Sequence, residues 1–179
     1  MVIRSLVLAH NGATVASMAT SFSPTLQVGD PAPDFSVTAT DGSTVALSDF
    51  AGRPVVLYFY PKDNTPGCNL EACGFRDAYP GFSERGVAVL GVSVDPVTSH
   101  RKFAEKFQLP FRLLADVDKF LVQAYGVWGE KSFLGRTYMG THRATFLIGS
   151  DGRIRQIWAK VTPKTHAQEI LAFIDREKR

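Results

Sequence analysis

The chain has 179 residues, one ordinary domain's worth, and a fold of that size buries roughly 70% of its unfolded surface without a metal or disulfide staple. Hydrophobic residues at 45% and charged residues at 21% exclude a disordered chain. A net charge of +3 with scattered basic residues argues against nucleic acid as a partner, and no apolar run approaches the roughly 18 residues a membrane span needs.

Residues 1–23 differ from the rest. Arg4 is their one charge, the apolar run Leu6–Ala9 is short, and the segment is a weak match to a secretory signal. The expectation is a disordered extension: a weak targeting segment, or translation from an upstream start with Met18 the true first residue. One domain is expected over residues 24–179.

From Pro24 the punctuation becomes regular. Pro31 and Pro33 lead into a strand over Phe35–Thr40, and Asp41-Gly42 predicts a hairpin turn to Thr44–Leu47. Val55–Tyr60 is an unbroken apolar run that suits a strand buried on both faces. A helix is predicted from Pro66 to about Tyr79, where Pro80-Gly81 should break or kink it. Val87–Val94 predicts a second buried strand, followed by a helix ending near Phe107 and a third strand over Phe111–Ala115. Asp118 is a candidate cap for a short helix that Gly126 ends. Gly129–Gly140 has loop composition. Ala144–Ile148 and Arg153–Trp158 flank the turn Ser150-Asp151-Gly152 as a hairpin, and Thr165 with Gln168 fits a capping box for a last helix with Ile170, Leu171, Phe173 and Ile174 on its apolar face. Strands alternating with helices imply an α/β fold with a mixed central sheet, helices on both faces and an N-terminal β-hairpin, similar to the thioredoxin arrangement.

The chemistry is concentrated in the only two cysteines, Cys68 and Cys73. Two are too few for a secreted disulfide scaffold, and a cytoplasmic location is expected. The segment Tyr60–Cys68 joins a buried strand to a helix, at the sheet edge where α/β proteins bind ligands. Thr65 is a candidate N-cap, Pro66 suits the first helical position, and Cys68 then falls in the first turn, beside free N–H groups and the positive end of the helix dipole. Both effects favour thiolate. An unperturbed thiol is about 3% ionised at neutral pH, so ionisation alone gains at most about thirtyfold, and a thiol enzyme needs transition-state stabilisation besides. The Thr65 hydroxyl and a cation from elsewhere in the chain are the candidates.

On an ideal helix, Cys68 and Cys73 lie about 8.6 Å apart between Cα atoms and about 140° apart around the axis. Disulfides rarely form beyond roughly 7 Å, so pairing requires the first turns to unwind. Glu71 is either a contact of the site or an acid that offsets the helix dipole. His10, His100, His142 and His166 show no metal-ligand spacing, and Trp128 and Trp158 read as packing residues.

The run Tyr58–Cys68, with Glu71-Ala72-Cys73 and Phe75-Arg76-Asp77, resembles the peroxiredoxins, specifically the bacterioferritin-comigratory or Q-type branch. Pro61, Thr65 and Cys68 meet its Pro-x-x-x-Thr-x-x-Cys signature, and the blocks Tyr125–Lys131 and Gly140–Ile148 are also similar, so that the likeness spans about Leu26 to Ile174. The sequence departs from the family pattern at Asn64, Asn69, Thr141 and Ala144. The resemblance implies a thioredoxin-like fold and a peroxidase acting on hydrogen peroxide and organic hydroperoxides. Cys68 would be the peroxidatic thiolate, Thr65 and Arg143 would hold thiolate and peroxide, and Pro61 would shape the loop. Cys73 would resolve the sulfenic acid as an intramolecular disulfide, which thioredoxin or a similar dithiol would reduce. It implies no metal and no other cofactor, and an internal resolving cysteine makes a monomer the expectation. Other readings are a general thiol–disulfide oxidoreductase, which would normally show Cys-x-x-Cys, a thioredoxin-fold copper-binding assembly protein, and an interaction domain with inert cysteines.

Overall fold

The computed structural model of the chain describes residues 22–178. The extension expected over residues 1–23 lies, apart from Phe22 and Ser23, outside the described residues. Phe22 stacks on His142 with ring centroids 4.1 Å apart.

The chain opens with a short antiparallel pair, β1 (Ser36–Thr38) and β2 (Thr44–Ala46), followed by a 3-10 turn over Leu47–Phe50. The central sheet comprises β3 (Val55–Phe59), β4 (Ala88–Ser93), β5 (Arg112–Ala115), β8 (Ala144–Ile148) and β9 (Ile154–Trp158), in the order β5-β4-β3-β8-β9. β3, β4 and β5 run parallel, whereas β8 and β9 are antiparallel to their neighbours. Between them lie α1 (Pro66–Glu84), α2 (Val97–Phe107), α3 (Phe120–Ala124) and the hairpin of β6 (Trp128–Phe133) and β7 (Arg136–Thr141), and α4 (His166–Glu177) closes the fold.

β3 is buried at all five positions because both its faces are covered. Val55, Leu57 and Phe59 face a cluster with Phe146, Leu121 and Tyr125 from the hairpin-and-α3 side. Val56 and Tyr58 face Phe75 and Phe82 of α1, Phe103 of α2 and Ile170 of α4. Each such side chain contributes about 1.5–3 kcal/mol on burial. Helices thus lie on both faces, but unequally: the three long ones share one face, and α3 shares the other with the β1–β2 pair. Among the described residues no helix is long and apolar enough to cross a membrane.

Four local expectations are corrected. α1 does not stop before Pro80 but continues to Glu84, because Ala78 and Phe82 bury on its inner face and Arg85, which donates to the Gly81 carbonyl, is clamped to Asp175 of α4. That packing outweighs the one helical bond that Pro80 cannot donate. The start of α3 is held by Asp116, not Asp118: its carboxylate accepts from the N–H groups of Leu121 and Val122 at 3.0 and 2.8 Å. The capping box at Thr165 does not form, since Thr165 has helical dihedrals where a cap must be extended. Gly129–Gly140 is not a loop but most of the β6–β7 hairpin, closed by Leu134 and Gly135 at φ 49° and 74°. Two consecutive positive φ values make the tight two-residue turn that suits strand twist. The hairpin leaves Phe133, Leu134, Tyr138 and Met139 exposed, so no core-facing alternation marks it in the sequence.

In the middle of β4, a Cβ on Gly91 would lie 2.7 Å from both Leu113 and Tyr58. Gly91→Ala should cost about 1–3 kcal/mol through overpacking. Urea unfolding measures this, and a change below about 0.5 kcal/mol would contradict the packing described.

Candidate active site

β3 ends at Phe59 on the carboxyl edge of the sheet, and the loop Tyr60–Thr65 turns the chain into α1. Asn64 takes the left-handed conformation at φ 56°. Thr65 occupies the N-cap with extended dihedrals, but its hydroxyl does not cap the helix and donates instead to the Lys62 carbonyl at 2.9 Å. Pro66 is the first helical residue, as expected. The first helical bond of this segment runs from Asn69 N–H to the Thr65 carbonyl, so the Cys68 N–H lies in the turn that lacks intrahelical partners.

Arg143 reaches this turn because of strand register. β8 runs antiparallel to β3 with Ala144 opposite Phe59, which puts the preceding residue, Arg143, over the sheet edge where α1 begins. Its Nη2 donates to Cys68 Sγ at 3.3 Å, and its Nη1 donates to Glu71 Oε2. Gly67 makes room for this approach: a Cβ there would sit 3.2 Å from Nη2. Cys68 and Glu71 are each 1% exposed. One guanidinium therefore bridges a buried thiol and a buried carboxylate.

The electrostatics are unequal across the bridge. Burial pushes the Glu71 carboxyl up to about 7, against the pull of Arg143 beside it. Burial also works against the Arg143 charge, yet Glu71 and Cys68 outweigh it and hold the guanidinium above its ordinary range. Among the described residues Glu71 Oε1 has no hydrogen-bond partner. Lys131 of β6 is lowered by burial and by the nearby Arg143 charge, with Cys68 opposing, and its Nζ donates to the Thr141 carbonyl at 3.0 Å.

Of the residues singled out in the sequence, Cys68 and Arg143 are in contact. Thr65 and Pro61 lie in the loop that leads to them and line a groove of about 330 Å³, whose other wall includes Trp128, Lys131, Tyr138 and Met139. Trp128, expected only as packing, forms part of that wall. Cys73 stands apart on α1, half-buried, and both thiols are free. With α1 unbroken from Pro66, the ideal-helix separation of about 8.6 Å applies, so the two sulfurs cannot bond in this conformation. Glu71 resolves in favour of the site over the dipole. Lys131 and Gly67 were missed by sequence reasoning: the first belongs to a hairpin that reads as loop, and the second does its work only against a side chain 76 positions away. His166 is buried against Thr145 at 2.8 Å, and His10 lies outside the described residues.

Comparison with known proteins gives a consistent result. Residues 28–157 match the AhpC/TSA family. The chain is 48% identical over 147 residues to peroxiredoxin Bcp of Bacillus subtilis (strain 168), covering 82% of this chain and 94% of that protein. A structure of Xanthomonas campestris peroxiredoxin Q superposes with a TM-score of 0.79 at 36% identity, covering 87% of this chain and 99% of that one. A second X. campestris structure, of bacterioferritin comigratory protein studied for alkyl peroxide reduction, gives a TM-score of 0.79 at 35% identity, covering 88% and 100%.

The raised Glu71 has a thermodynamic consequence. Between pH 4.5, its ordinary value, and about 7, the folded protein holds a proton that the unfolded chain has released, so this group lowers stability as pH rises through that window. The full effect is about 3 kcal/mol. Urea unfolding at pH 5 and pH 8 should show the wild type losing about that much more stability than Glu71→Gln. Equal changes in the two proteins would contradict the assignment.

Proposed function

The chain belongs to the AhpC/TSA family and is a thiol-dependent peroxidase of the peroxiredoxin kind, and from that premise we propose that Cys68 is its peroxidatic residue and Cys73 its resolving residue. The observation that carries the reading is the Arg143 guanidinium held against Cys68 Sγ by a buried carboxylate.

In the first step the Cys68 thiolate attacks one peroxide oxygen. An S–O bond forms, the O–O bond breaks, and Cys68 becomes a sulfenic acid while the other oxygen leaves as an alkoxide or hydroxide and takes up a proton. Arg143 faces both the thiolate and the charge that moves onto the leaving oxygen, the point where a fixed donor contributes most. The Thr65 hydroxyl has its proton engaged with Lys62, which leaves its lone pairs to accept the O–H of the incoming peroxide. Pro61 and Thr65 shape the groove through which the peroxide enters, and its apolar wall from β6 and β7 accommodates organic hydroperoxides as well as hydrogen peroxide.

In the second step the Cys73 sulfur attacks the sulfenic sulfur, the S–S bond forms and water leaves. The first turns of α1 must unwind for this. Thioredoxin or a similar dithiol then supplies two electrons and restores both thiols. Because both cysteines are in one chain, a monomer suffices, and a reducing cytoplasmic setting would keep a dithiol reductant at hand. No metal or organic cofactor enters the scheme. A guanidinium against the sulfur also disfavours the copper-binding alternative, since a fixed cation repels Cu(I).

Intact-protein mass after one equivalent of hydrogen peroxide tests the assignment. The wild type should lose about 2 Da as the disulfide forms, and Cys73→Ser should gain about 16 Da as a trapped sulfenic acid. Unchanged masses in both at micromolar peroxide would overturn it.

A further inference from the structure

A second cluster of buried polar groups lies beside the site, and the chemistry above does not use it. Asp63, in the loop before α1, is the centre. Its carboxylate accepts from Tyr60 Oη at 2.7 Å and Ser99 Oγ at 2.7 Å and lies 2.8 Å from His100 Nδ1. His100 is fully buried, and its other nitrogen, Nε2, faces the Leu114 carbonyl at 3.1 Å. The Asp63 N–H donates to Asp95 Oδ2 at 2.9 Å, and that oxygen also accepts from Ser93 Oγ at 2.7 Å.

The contacts account for every polar atom of the His100 ring. Tyr60 spends its one proton on Asp63 and so cannot donate to His100, 3.4 Å away. The Leu114 carbonyl can only accept, so the contact at Nε2 uses a ring N–H, and the contact at Nδ1 joins the same ring to Asp63. Burial raises the Asp63 carboxyl, but the contacts with His100, Ser99 and Tyr60 together outweigh it and keep the group ionised. Ligand atoms of Asp63, Asp95 and His100 all lie within 4.8 Å of one another, but both ring nitrogens of His100 are already engaged, by Asp63 and by the Leu114 carbonyl. The cluster is a buried hydrogen-bonded network centred on Asp63.

Its placement gives it a purpose. His100 sits in the first turn of α2, from where its ring reaches both Asp63 and the Leu114 carbonyl. Through Asp63, Asp95 and Leu114 the cluster ties together the carboxyl ends of β3, β4 and β5. The tied loop contains Asn64 in its left-handed conformation, a state that persists only where surrounding contacts determine it. Each of these buried polar groups must keep its partners, because a buried donor or acceptor left unpaired costs its full desolvation penalty.

We propose that His100, acting through Asp63, is the positioning residue of the loop before α1: their buried hydrogen-bonded contact holds residues 60–65 in the conformation that starts the helix at Pro66 and presents Cys68 to Arg143. The proposal rests on the peroxidase role of Cys68. It also separates the two chemical steps, because oxidation needs the loop fixed, whereas resolution needs only the turns after Thr65 to unwind.

Single-turnover rates in Asp63→Asn, His100→Gln and the double variant test this. Sulfenic acid formation is read in a Cys73→Ser background and disulfide formation with Cys73 present. Each single variant should slow oxidation about tenfold or more, as loss of alignment does. The double variant should be no slower than the slower single, and resolution should stay within about twofold of wild type. Oxidation within about twofold of wild type, additive losses, or equal slowing of both steps would overturn the proposal. If the parent protein forms no sulfenic acid, the assignment of Cys68 fails and this proposal falls with it. Should those variants not fold, Ser99→Ala decides, since it removes one donor to Asp63 at the surface of the cluster: oxidation should slow while resolution stays within about twofold of wild type, and equal effects on both steps would overturn the proposal.

Discussion

Everything at this site depends on a guanidinium placed where a guanidinium is expensive. Arg143 is largely removed from water, and it stays charged because Glu71 and the Cys68 sulfur stand against it. Glu71, in turn, is buried and would be an isolated charge without Arg143. Removing either partner strands the other, which is the situation in which a buried pair costs most. The bridge also constrains the backbone on both sides. Ala144 must pair with Phe59 to bring Arg143 to the edge, and position 67 must lack a side chain to let it through.

That rigidity sits beside a requirement for movement. The loop 60–65 is tied by Asp63 to α2 and to the edge of β5, while Cys68 and Cys73 share the unbroken helix that follows. The division falls at Thr65: residues before it are anchored by side-chain hydrogen bonds, and residues after it are held by the first turns of a helix, which are its weakest part. Attack on peroxide requires a sulfur fixed in position. Formation of the proposed Cys68–Cys73 disulfide requires the same sulfur to be released. A fixed loop followed by a helix start that can unwind satisfies both conditions.

Much of this was legible in the residues. Val55–Phe59 declares itself as a two-sided buried strand, and Thr65-Pro66 marks the helix start that carries Cys68. What stayed hidden depends on distant contacts. The β6–β7 hairpin has no buried face, so its residues show no alternation, and with it went the groove wall and Lys131. Pro80 continues a helix it would ordinarily end because Phe82 and Arg85 are held by partners elsewhere. His100 has no neighbouring ligand in sequence, and only the adjacency of β3, β4 and β5 brings Asp63 and Leu114 to it. Arg143 was legible from the family resemblance, not from its own surroundings in the chain.

The most direct test of the central claim is the second-order rate constant for oxidation of reduced Cys68 by hydrogen peroxide in wild type and in Arg143→Lys. Lysine keeps the charge but cannot donate to the sulfur and to Glu71 through one planar fork. The account predicts a fall of about 10²–10³-fold, the usual consequence of losing one oriented transition-state donor. A variant that reacts within about twofold of wild type would contradict it and leave Arg143 a structural residue.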